Sequence, residues 1–178
     1  MSLCCAAKAA SISTVRVVTE RVFVHESQYG DPSSRYCLPL VFVMEKVFIY
    51  GTLKRGFAFH EKGLAGAMFL GLYQTVKPYP LYIAKPFYGP MMLERPGEGL
   101  VVQGEVYEAD EKRLLLIDGL EDIGKPGSFR SKILVETAGG GQRLEAVAYF
   151  KDESWLKPLH SDALSDYQDR RFIPPWDR

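Results

Sequence analysis

The 178-residue chain is short of three things: cysteine, histidine and an excess of either charge. The three cysteines, Cys4, Cys5 and Cys37, all lie in the first 37 residues, so nothing beyond them can form a disulfide framework. His25, His60 and His160 are scattered, and no His/Cys grouping has zinc-ligand spacing, so no metal is expected and no other cofactor motif is present. Lys and Arg together number 22, as do Asp and Glu, giving a formal net charge of zero. That balance removes the electrostatic case for nucleic acid or an anionic membrane surface as partner. No stretch nears the roughly eighteen consecutive apolar residues of a membrane-spanning helix. Length and composition fit one globular domain, read as a monomer, with 47% hydrophobic and 25% charged residues.

Composition changes near Met44. Residues 1–19 carry two cations, Lys8 and Arg16, and the first acid is Glu20. Two readings of residues 1–43 stay open: an organelle-targeting segment, or a leader outside the fold. The segment 26–36 has turn and linker chemistry, and Met44 could serve as an internal start. The division expected is therefore a leader over 1–43 and a domain over 44–178. The cysteine-free domain suits a reducing compartment such as the cytoplasm.

From Lys46 the chain reads as short strands. Lys46 to Tyr50 is β-branched and aromatic, a strand buried on both faces, and it stops at Gly51. Further strands are expected over 69–76, 79–84, 91–94 and 100–107. A hairpin is expected over 131–136 and 143–150, around Gly139-Gly140-Gly141. Residues 57–68 suggest one short helix. A second helix is better marked: Asp110 can cap it, Glu111 sits in its first turn, and Gly119 and Gly124 weaken its far end. Leu114, Leu115, Leu116, Ile117 and Leu120 surround most of its axis, which predicts a largely buried helix. The architecture expected is α+β, a sheet curled toward a small mixed β-barrel with one or two packed helices. The aromatic tail, with Trp155, Tyr167, Phe172 and Trp176, reads as a strap packed over it.

Two features have chemical potential. At 100° per residue, Glu111, Asp118 and Asp122 project to one solvent-facing stripe, whereas Glu121 falls between Leu114 and Ile117. A carboxylate on an apolar face loses hydration and its pKa rises, which suits an acid or base; the same residue at a fraying helix end can also simply reach water. The second feature is Tyr50-Gly51-Thr52-Leu53, where a strand exit through Gly can turn backbone N–H groups toward one point as an anion nest, or can be no more than a tight turn. His60 reads as a surface residue, and Glu105, alternating outward on its strand, as structural.

Together these segments resemble the γ-glutamylcyclotransferase superfamily. The run Phe48 to Gly56 resembles its opening signature. Gly104-Glu105-Val106-Tyr107 and Ile117-Asp118-Gly119-Leu120-Glu121 resemble two further segments at similar separation. Tyr79-Pro80-Leu81, Pro96-Gly97-Glu98-Gly99 and the tail from His160 resemble the γ-glutamylamine branch. The resemblance covers about three quarters of the chain. It implies a small mixed barrel, no cofactor, Glu121 as base and Tyr50, Gly51, Thr52 and Leu53 as substrate cradle. The implied reaction cyclises a γ-glutamyl amine, such as γ-glutamyl-ε-lysine, to 5-oxoproline. A cyclotransferase for other γ-glutamyl compounds, or a ligand-binding module that has lost turnover, are the alternatives. One departure stands out: the family's Tyr-x-Arg after the Glu is replaced by Phe129 and Arg130.

Overall fold

The computed structural model describes residues 44–178; the expectations for 1–43 lie outside the described residues. Among the described residues seven strands are present: β1 Glu45–Ile49, β2 Met68–Thr75, β3 Leu81–Ala84, β4 Gly89–Met92, β5 Gln103–Ala109, β6 Ser128–Thr137 and β7 Arg143–Lys151. Five of them close into a barrel in the order β1-β5-β2-β6-β7, while β3 and β4 form a separate two-stranded sheet. The barrel pairs are antiparallel except β1 with β7, which meet in parallel at Val47 and Val147. The fold is therefore the expected α+β mixed barrel, and closure leaves the five barrel strands without a bare edge.

Two apolar cores explain why β1 is hydrophobic on both faces. Phe48 and Tyr50 point into one core with Val102, Val106, Val135, Ala148 and Phe150. Val47 and Ile49, one residue out of phase, pack in a second core with Leu53, Leu64, Tyr107 and Ile117. The second core is where the helices α1 His60–Leu64 and α2 Glu111–Leu120 sit. The approach of β5 to β1 requires Gly104: a Cβ there would lie 2.4 Å from the Ile49 carbonyl oxygen and 2.7 Å from the Phe48 ring.

Several expectations are corrected in detail. Strand β3 starts two residues later than 79 and β5 three later than 100, because Tyr79 and Leu100 form an isolated bridge outside the ladders, and β4 lies two residues before 91–94. Helix α2 is not buried all round. Ile117 is fully buried, but Leu115 is 64% and Leu116 47% exposed, since only one side of the helix meets the barrel. Asp118 does not belong to a solvent stripe. It accepts a hydrogen bond from the Tyr149 hydroxyl at 2.7 Å and pairs with Arg130 at 2.9 Å. The β6–β7 hairpin forms as expected, with Glu136 opposite Arg143, but β6 begins three residues before 131, at Ser128.

Candidate functional site

The site forms where β1 and α2 both end. Helix α2 starts at its Asp110 cap, whose carboxylate accepts from the Arg113 N–H at 2.8 Å. It ends with Glu121 as the C-cap residue and Asp122 in the left-handed region at φ 59°. The Asp122 N–H returns to Gly119 and the Ile123 N–H to Asp118, the paired bonds of a Schellman ending. Glu121 is thus the residue on which the helix stops; its N–H still donates to the Ile117 carbonyl at 2.9 Å, and its carboxyl is desolvated.

The surroundings of Glu121 hold its backbone firmly. Its carbonyl accepts from the Ser128 hydroxyl at 2.7 Å and from the Lys151 ammonium. Its carboxyl is pushed above the usual carboxylate range, first by loss of hydration and further by Asp122, against the opposing charge of Lys151. Burial lowers the Lys151 pKa, while Glu121 and Asp122 oppose that fall. The Tyr50 phenol is pushed well up by burial and by Glu121, and its hydroxyl donates to the Tyr149 carbonyl at 2.7 Å. That bond ties the end of β1 to β7.

The chain leaves β1 in a turn closed by the Lys54 N–H on the Gly51 carbonyl at 3.0 Å. Gly51 is needed because a Cβ would stand 2.7 Å from Cγ of Pro90. Thr52 and Leu53 are buried residues, and among the described residues neither backbone N–H donates to a backbone carbonyl in the turn. Consecutive N–H groups that donate to no backbone carbonyl can converge on an anion as a nest. The loop is braced from outside: Glu105 accepts from the Arg55 N–H at 3.0 Å and the Tyr107 hydroxyl at 2.8 Å. His60 lies 3.0 Å from the Leu53 carbonyl through Nδ1 and is half-buried rather than a surface group.

A small recess of about 20 Å³ is lined by Tyr50, Gly51, Thr52, Pro90, Glu121 and Tyr149 among others. A cleft of about 590 Å³ shares Thr52, Pro90 and Glu121 with it. The structure thus brings Tyr50, Gly51, Thr52 and Glu121 together. Leu53 differs: its side chain packs in the second core, so only its backbone can serve a ligand. Lys151, Trp155 and the tail residues Phe172, Pro175, Trp176 and Arg178 also line the cleft. Sequence reasoning assigned the tail to packing alone and passed over Lys151 altogether. The one available signal was a lysine ending an apolar strand, Ala146 to Phe150. Phe129 stacks on Phe150 at 5.9 Å between centroids, and Arg130 is engaged by Asp118. Among the described residues no group of three or more His, Cys, Asp or Glu side chains could hold a metal, and no helix is long and apolar enough to cross a membrane.

A barrel whose first strand exits through Gly51 beside a half-buried helix-end carboxylate, both lining one recess, has the layout of a small-molecule site. The family model described as "Gamma-glutamyl cyclotransferase, AIG2-like" matches residues 47–169, and the chain belongs to that family. A putative gamma-glutamylcyclotransferase of Methanocaldococcus jannaschii is 38% identical over 125 residues, covering 70% of this chain and 99% of that protein. A gamma-glutamylaminecyclotransferase of Bos taurus is 37% identical over 129 residues, covering 70% and 76%. The crystal structure of an AIG2-like protein from Mus musculus superposes with a TM-score of 0.66 at 32% identity, over 76% of this chain and 99% of that one.

Proposed function

We propose that this chain is a γ-glutamylamine cyclotransferase in which Glu121 is the general base. The observation that carries the reading is the meeting of a desolvated carboxyl, Glu121, with the Tyr50-Gly51-Thr52 strand exit at one recess that opens on the cleft. The substrate has an α-carboxylate, an α-amine and a γ-amide. The nest takes the α-carboxylate. The α-amine nitrogen attacks the γ-carbonyl carbon, a C–N bond forms, and Glu121 takes the proton that the amine sheds. The tetrahedral centre collapses, the bond to the leaving nitrogen breaks, and Glu121 returns the proton to that nitrogen. The products are 5-oxoproline and a free amine. Both reacting groups belong to one molecule, so the site's main task is to hold the chain in its cyclic conformer.

The cleft volume of about 590 Å³ falls in the usual range for ligand sites and leaves room beyond the ring for a leaving amine. Phe59, Phe87, Trp155, Phe172 and Trp176 line it with aromatic surface that suits the methylene stem of γ-glutamyl-ε-lysine. We place the reaction in the cytoplasm, carried out by a monomer. The test is 5-oxoproline release from γ-glutamyl-ε-lysine, free γ-glutamyl amino acids and glutathione. Release from γ-glutamyl-ε-lysine is expected, and Glu121→Gln is expected to lower turnover at least about a hundredfold with the fold retained. Near wild-type turnover in Glu121→Gln rejects the base assignment; release from glutathione alone rejects the substrate class.

A further inference from the structure

Lys151 is the last residue of β7, the strand that meets β1 across the parallel seam of the barrel. It is only 6% exposed, yet no carboxylate lies within ion-pairing distance of its ammonium among the described residues. Taking an ammonium out of water costs several kcal/mol unless another charge or several hydrogen bonds compensate. Two hydrogen bonds do so in part. The ammonium donates to the Glu121 carbonyl and, at 2.7 Å, to the Ser128 hydroxyl. Ser128 in turn donates to the same Glu121 carbonyl at 2.7 Å. The three groups form a closed triangle on the main chain of the helix-end residue. The Trp155 ring covers the ammonium, its centroid 4.7 Å away, and both Lys151 and Glu121 line the cleft.

We infer that Lys151 is a positioning residue for the cyclisation: its ammonium anchors the Glu121 main chain and sets a positive charge beside that residue at the cleft. The inference rests on the proposed role of Glu121 as base and goes beyond it. The triangle sets where the carboxyl begins, because the C-cap carbonyl and the side chain share one Cα. The charge opposes the rise that loss of hydration imposes on the carboxyl. Other ionisable groups face Glu121 from the elements around it. Asp122, from the helix end, disfavours its ionisation, as burial does. Asp122 is itself paired with Lys125 at 2.6 Å. Tyr50 from the end of β1 and Tyr149 from β7 are neutral, both phenols being pushed upward. Asp118 is engaged by Tyr149 and Arg130. Lys151 is the cation that opposes burial at Glu121. Without it the carboxyl binds its proton more tightly, so a larger share of the enzyme is protonated, and unable to act as base, at any pH on the acid side.

The pH dependence of kcat/KM for γ-glutamyl-ε-lysine tests this in Lys151→Met and Lys151→Arg. In Lys151→Met the acid limb is expected to move to higher pH, with a loss on the order of tenfold there and a smaller loss on the plateau. Lys151→Arg keeps the charge and is expected to return the limb toward wild type. A purely structural lysine would instead lower the thermal midpoint and leave the limb in place, and that result in folded Lys151→Met overturns the inference. A second measurement does not depend on that variant folding. The Lys151 ammonium is titrated by ¹⁵N NMR in the wild type and in Glu121→Gln. Coupling between two sites is reciprocal, so Lys151 should lose its proton at lower pH once the facing carboxylate is neutral. The same titration in both proteins overturns the inference. If turnover is lost in Glu121→Gln while the titrations coincide, the base reading stands and this inference alone fails; if turnover survives, the base reading falls and this inference with it.

Discussion

Gly51→Ala measures how closely the loop must sit against β4. The added Cβ would lie 2.7 Å from Cγ of Pro90 and 3.5 Å from its Cβ. Ordinary contact begins near 3.4 Å, so the shortfall is about 0.7 Å. Pro90 yields poorly: its ring is rigid, and it is held in register opposite Ile83. Either the loop or β4 must retreat, and both line the recess and the cleft. Overpacking of this kind costs about 1–3 kcal/mol, which for a domain of this size corresponds to a fall of roughly 2–12 °C in thermal midpoint. The effect on catalysis should be larger than that on stability, because a misplacement near 1 Å can cost on the order of a hundredfold in rate. The expected result is a folded variant with kcat/KM for γ-glutamyl-ε-lysine reduced about ten- to a hundredfold. Pro90→Ala in the same chain removes the obstructing Cγ and should recover part of the loss, which separates the clash from any effect of the methyl group on the substrate. A Gly51→Ala protein with wild-type kcat/KM would refute the close-packed cradle.

Three further outcomes are expected. Ile117→Ala should destabilise the protein by about 2–5 kcal/mol, and Leu115→Ala, on the exposed side of α2, by within about 0.5 kcal/mol in urea unfolding; equal effects would mean that α2 is buried all round. Activity should survive exhaustive chelation, since no described His, Cys, Asp or Glu grouping is placed to hold a metal; a rate lost with chelator and restored by zinc would reject the metal-free mechanism. A protein starting at Met44 should fold and retain turnover, because β1 begins at Glu45 and the family match at residue 47; an insoluble or inactive product would make residues 1–43 part of the working enzyme.

Local chemistry made much of this protein legible in its sequence. Lys46 to Tyr50 declared a doubly buried strand by its β-branched and aromatic run, and the two cores on either side of β1 account for it. Asp110 declared the start of α2, because a cap depends on one side chain and the next three N–H groups. Gly51 and Glu121 were singled out as a strand exit and a misplaced carboxylate, features that need only a few neighbouring residues to be seen. What depends on partners distant in the chain was not legible. Leu115 and Leu116 are as apolar as Ile117, and only the placement of the barrel against one side of α2 decides which is buried. Asp118 looked solvent-facing until β7 brought Tyr149 to it from 31 positions away. Lys151, 30 residues beyond Glu121, carries no local mark of its role. Its hydrogen bonds, its burial and the charge it turns toward Glu121 exist only because the barrel closes and sets the end of β7 beside the end of α2.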